Sequence, residues 1–150
     1  MLRYSQNSMQ KKAAFTIVEV LVVICVFLAM ITFLAPLVKI TQARARRINC
    51  VNNLRQISLG LHKYALGHNK AFPEKIGDLY PTYISDKKVF DCRGSKRIGT
   101  KDDPDYSYTE GLAESAPAWE IIVRDNEGNH KNSGKNILRV DGSVEWVSNK

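Results

Sequence analysis

A chain of 150 residues, 44% hydrophobic and 25% charged, has room for one modest domain and one extended element, so any membrane character must be concentrated in a single stretch. Its net charge of +7 is a mild excess with no gathered basic and aromatic patch, and no nucleic-acid partner is expected. Three cysteines, Cys25, Cys50 and Cys92, exclude a dense disulfide framework, and with no C-x-x-C pair and no H-E-x-x-H spacing around His62, His68 or His130, neither a cysteine zinc site nor a metallo-hydrolase is expected.

Residues 1–14, MLRYSQNSMQKKAA, are polar, carry Arg3, Lys11 and Lys12, and end in two alanines. They read as a leader. From Phe15 to Val38 the chain is apolar, with Glu19 its only charge, and Val20 to Val38 are 19 uninterrupted uncharged residues. As a helix these span about 28 Å, enough for the hydrocarbon layer. A core helix would be polar on one side; this one is apolar all round, which favours a membrane span. A cleaved secretory signal has a shorter apolar region, about 7–15 residues, so an anchor is the better reading. Lys39, Arg44, Arg46 and Arg47 follow the span and outnumber the basic residues before it, so counting positive charges leaves the orientation open.

Beyond the span, Ile48, Val51, Leu54, Ile57, Leu61 and Ala65 recur in steps of three and four and mark one face of a continuing helix. The spacing predicts a single helix over about 15–66, roughly 78 Å long, with Gly67 as its stop and Pro36 bending it. Residues 39–66 form its amphipathic half. Residues 67–150 are rich in turn signals and predict a small globular head. Its clearest strands are Ala118 to Arg124 and the runs NILRV and SVEWV, joined at Asp141-Gly142 by a type I′ hairpin turn. The fold class is therefore α+β, a long N-terminal helix against a small antiparallel sheet.

Phe15-Thr16-Ile17-Val18-Glu19 at the head of the apolar run, after a short basic leader and with Pro36 in mid-helix, resembles the processing signature of type IV prepilins and type II secretion pseudopilins. The resemblance implies cleavage between Ala14 and Phe15 by a prepilin peptidase that also methylates the new amine. It further implies a single-pass inner-membrane protein with its head on the periplasmic or extracytoplasmic side. Glu19 would pair with the N-terminal amine of a neighbouring subunit during filament assembly. The family usually has Gly where Ala14 stands. Cys50-x-x-Asn53-Leu54-Arg55-Gln56-Ile57 and Ala71-Phe72-Pro73 resemble a pseudopilin-related group with a C-terminal His and an Asp-Gly about nine residues on. Here ten residues separate His130 from Asp141-Gly142, and His130 reads as a surface-loop histidine.

With the head outside the cytoplasm, oxidation is permitted, and a Cys50–Cys92 disulfide is expected, Cys25 remaining in lipid. Closing that loop is worth about 4 kcal/mol in the chain-entropy model. Asp102, Asp103 and Asp105 gather three carboxylates, and related pseudopilins bind calcium in C-terminal loops; without an EF-hand's Gly and distal Glu, a solvated turn is the simpler reading.

The leading function is a structural filament subunit, with no enzyme activity and no other cofactor. Its expected partners are the prepilin peptidase, copies of itself and other pilin-like subunits, and membrane lipid. The runner-up is a minor pilin serving adhesion or DNA uptake, using Tyr106, Tyr108 and Trp119. A signal-anchored periplasmic enzyme is third, since no serine elbow, metal set or Cys-His pairing is legible.

Overall fold

The computed structural model describes residues 16–149. The first element, α1, is a 51-residue helix over Ile17–Gly67. Thr16 starts it: its Oγ1 accepts the backbone N–H of Glu19 at 3.3 Å, the first half of a capping box in which Glu19 also sits at the positive end of the helix dipole. The helix continues through Pro36. Its opening stretch is long and apolar enough to cross a membrane, and Ile17, Leu21, Phe27 and Phe33 are all exposed.

The chain divides into two compact units after Lys39. In the second, α1 buries Cys50, Leu54, Ile57, Leu61 and Ala65, spaced four, three, four and four apart. Ile48, expected on this face, is 58% exposed, and Val51 is only half-buried; the buried stripe runs through Cys50 instead. Gly67 is the last helical residue, but the left-handed turn that reverses the chain belongs to Asn69 and Lys70, at φ 53° and 66°. Lys70 N–H then donates to the Ala65 carbonyl at 2.9 Å.

Against this face lies a four-stranded antiparallel meander, order β1-β2-β3-β4. The strands are β1 Tyr106–Tyr108, β2 Ile121–Asp125, β3 Gly134–Arg139 and β4 Val144–Ser148. A register shift between Ile121 and Val123 lets two consecutive residues, Ile122 and Val123, both leave solvent. Between helix and sheet, short 3₁₀ turns at Ile76–Leu79 and Lys87–Phe90 deliver Ile76, Leu79, Val89 and Phe90 to one core with Leu138 and Val140. Each such side chain contributes about 1.5–3 kcal/mol by leaving water.

Two expectations change in detail. The strand expected at Ala118 starts at Ile121, because Glu120 N–H closes a turn onto the Pro117 carbonyl at 2.9 Å. The hairpin at Asp141-Gly142 has four loop residues rather than two, and only Gly142, at φ 82°, is left-handed. Burial of Val140, 4% exposed, holds that residue in the core and spaces the strands apart. Asp141 Oδ1 accepts Ser143 N–H at 2.8 Å, an Asx turn in place of the type I′ turn.

Candidate functional site

Of the residues expected to govern processing and assembly, Ala14 and Phe15 lie outside the described residues. Glu19 stands in the first turn of α1, exposed, with no ion pair among the described residues. Cys25 is exposed on the same apolar stretch.

The head contains a different constellation. Cys50 on α1, Cys92 just after the second 3₁₀ turn, Asp125 at the end of β2 and His130 in the β2–β3 connection place their ligand atoms within 4.8 Å of one another. Among the described residues no other three His, Cys, Asp or Glu side chains converge in this way. The two sulfurs are 2.8 Å apart as free thiols. His130 Nε2 lies 3.5 Å from Cys92 Sγ and 3.4 Å from Asp125 Oδ2. The imidazole is 5% exposed and the Asp125 side chain 0%, so His130 is not the surface histidine its loop composition suggests.

Each member is held from behind. Cys92 N–H donates to Asp105 Oδ2 at 3.0 Å. His130 N–H donates to the Gly94 carbonyl at 3.0 Å, and the ring meets Trp146 edge-on at 5.5 Å. Asp125 Oδ2 accepts both the backbone N–H and the side-chain amide of Asn136, at 2.7 and 2.8 Å. Its other oxygen, Oδ1, is buried without a hydrogen-bond partner. The groups polarise one another. The Cys92 hydrogen bond lowers the Cys50 thiol to about 5 against the cost of burial, while the same contact and burial raise Cys92. Burial pulls His130 down, but hydrogen bonding to Asp125 and Cys50 outweighs it and raises the imidazole to about 9.

Gly94 is part of this construction, because a Cβ built there would overlap the His130 ring. Gly94→Ala is expected to displace the imidazole and loosen cover over Cys92. Maleimide labelling of Cys92 in the folded full-length protein should then accelerate at least about tenfold, as local opening costing about 1.4 kcal/mol less would produce. An unchanged labelling rate would show that the ring does not depend on this clearance.

The three carboxylates considered for calcium are engaged by the chain's own cations. Arg97 Nη1 pairs with Asp103 Oδ2 and Nε with Asp105 Oδ1, both at 2.6 Å, and Lys101 pairs with Asp102 at 2.6 Å. Arg97 also donates to the Asp103 and Pro104 carbonyls. Asp105 is 1% exposed and turns its second oxygen to Cys92 N–H and Ser95 Oγ; it braces the cysteine turn. Of the aromatic residues considered for a binding surface, Tyr106 is buried and Tyr108 donates to the Pro73 carbonyl at 2.6 Å, leaving Trp119, 67% exposed.

Asp125, Asn136 and Arg97 carried no local signal. The one available hint was the coincidence of Cys50, Cys92 and His130 with an acidic residue at a strand end, which needs the tertiary fold to become meaningful.

Residues 41–89 match a family model described as "Protein of unknown function (DUF1559)". The match takes in the second half of α1, Cys50, the first 3₁₀ turn and all but the last residue of the second, about a third of the chain. No curated protein and no solved structure matches the chain.

Proposed function

We propose that this chain is a pilin-like structural subunit of the type IV pilus or type II secretion pseudopilus kind, anchored through residues 15–38 and assembling through them into a filament. The observation that carries the reading is the division of labour within one continuous helix. Its first half presents apolar side chains on every side, and its second half buries one stripe in the head. A surface apolar all round needs lipid or like helices around it. A filament core of packed copies supplies the second once the subunit leaves the first. The resemblance around Phe15 to Glu19 supports the same reading, and the family match is compatible with it. Prepilin peptidase, other subunits and inner-membrane lipid are the partners this function requires. The head would face the periplasm or cell exterior. The subunit's contribution is mechanical rather than catalytic.

Processing tests the proposal directly. N-terminal sequencing or intact mass of the membrane-extracted protein should give a mature chain that starts at Phe15 with a methylated amine. A chain retaining Met1, or cut after Ala29 or Ala35 as a signal peptidase would leave it, overturns the reading.

A further inference from the structure

We propose that Cys50, Cys92, His130 and Asp125 form a binding site for a single tetrahedral, thiolate-preferring divalent ion of the zinc class. Two sulfurs, one imidazole nitrogen and one carboxylate oxygen are a donor set that suits such an ion. Bond lengths for that ion imply ligand-to-ligand edges of about 3.5 Å for sulfur to nitrogen and about 3.4 Å for nitrogen to oxygen. His130 Nε2 stands 3.5 Å from Cys92 Sγ and 3.4 Å from Asp125 Oδ2. The sulfurs, at 2.8 Å, must part by about 1 Å to reach a tetrahedral edge of about 3.8 Å.

Three further observations point to a ligand. The Asp125 side chain is fully buried and its Oδ1 has no partner, an unsatisfied polar atom that calls for an explanation such as an ion bound at the carboxylate. The other oxygen is fixed by two Asn136 donors, the kind of outer support that orients a ligating carboxylate. The backbone also pays to aim the imidazole. His130 and the following Lys131 are both left-handed, at φ 52° and 55°, and Gly94 has no side chain where the ring sits; strain of this kind concentrates at ligand sites.

Other uses of the cluster fit less well. A Cys-His-Asp nucleophile would need the two imidazole nitrogens to face sulfur and carboxylate separately, whereas Nε2 here faces both, and the cysteines are 0% and 1% exposed. A Cys50–Cys92 disulfide would occupy the sulfurs and give no reason for His130 and Asp125 to converge on them. A hard cation such as calcium takes oxygen donors, not sulfur. Binding requires both cysteines as thiolates and His130 as neutral imidazole, whatever protons these groups carry leaving to solvent, so the +2 ion meets two thiolates and one carboxylate.

The test uses the full-length protein, extracted in detergent without reductant or chelator. Elemental analysis should find about one zinc-class ion per chain. After chelation, Co²⁺ should restore binding with thiolate-to-cobalt charge-transfer absorption and the intense visible bands of tetrahedral coordination, and excess Ca²⁺ should not compete. Cys92→Ser and His130→Ala should each weaken Co²⁺ binding by at least about 100-fold, since loss of an outer support alone costs 10–100-fold. Should those variants fail to fold, metal content and the cobalt spectrum of the wild-type protein decide alone. A Cys50–Cys92 disulfide in metal-free, freshly extracted protein overturns the site, as does a cobalt spectrum without the sulfur band or unchanged affinity in folded His130→Ala. These readouts come from the unassembled chain and stand apart from the filament reading, which processing at Phe15 tests.

Discussion

Glu19→Gln chains are expected to enter the membrane and fold their heads normally, yet to reach filaments at a small fraction of wild-type yield. Glu19 is the one charge between Phe15 and Val38, and a carboxylate deep in a bilayer costs on the order of 2.5–3.5 kcal/mol. That cost falls near the interface, where the first turn of α1 would lie, so removing the charge should not hinder insertion. Within a filament the carboxylate would be surrounded by packed helices and paired with a neighbour's N-terminal amine. Breaking a buried pair by removing one partner costs about 3–5 kcal/mol, or at least about 100-fold in subunit affinity. Glu19→Asp keeps the charge with a shorter reach and should fall between the two. Quantitative immunoblotting of sheared filaments against the membrane pool checks this, with thermal melting of the detergent-extracted protein reporting on the head. Wild-type filament yield from Glu19→Gln would leave apolar packing of Val20 to Val38 as the source of cohesion.

Phe90→Ala should be the most damaging single truncation in the head, at about 3–5 kcal/mol. Phe90 is 0% exposed and the largest of the fully buried side chains. The cavity it would leave is poorly placed to collapse. The Phe90 carbonyl accepts Asp105 N–H at 3.0 Å, and Gly99 lies so close to that carbonyl that a Cβ would overlap it. Pinned backbone on two sides favours the upper end of the range, a large fraction of the 5–15 kcal/mol typical of a domain. Chemical denaturation of the full-length protein in detergent should show a midpoint well below wild type. Trp119→Ala, at a position 67% exposed, should stay within about 0.5 kcal/mol. Equal midpoints for Phe90→Ala and wild type would mean that the head's stability is centred elsewhere.

The same contrast between local and assembled information runs through the whole molecule. The helix was legible because its cues are local: nineteen uncharged residues, then apolar positions every third or fourth residue. Those cues also located Leu54, Ile57, Leu61 and Ala65 in the core. They misjudged Ile48, because periodicity gives a face without saying where the head begins to cover it. The NILRV and SVEWV strands were legible from β-rich runs flanking a turn. β1 was not, since Tyr106–Tyr108 is only three residues long and exists by pairing with β2. The loop between β3 and β4 followed burial of Val140 rather than the local preference of Asp-Gly.

The buried cluster lies at the far end of this scale. Its members are 42, 33 and 5 residues apart along the chain, and no spacing rule links a helix cysteine, a turn cysteine, a strand-end aspartate and a loop histidine. His130 resembled any polar loop residue until its N–H bond to the Gly94 carbonyl and the clearance at Gly94 set it beside Cys92 and the Asp125 that Asn136 holds. By itself, then, the sequence determined the helix, its apolar and amphipathic halves and the α+β class, because hydropathy and periodicity act between near neighbours. Only the tertiary structure decided which thiols, imidazole and carboxylate meet, because that depends on loops whose conformations are set by the core they close over.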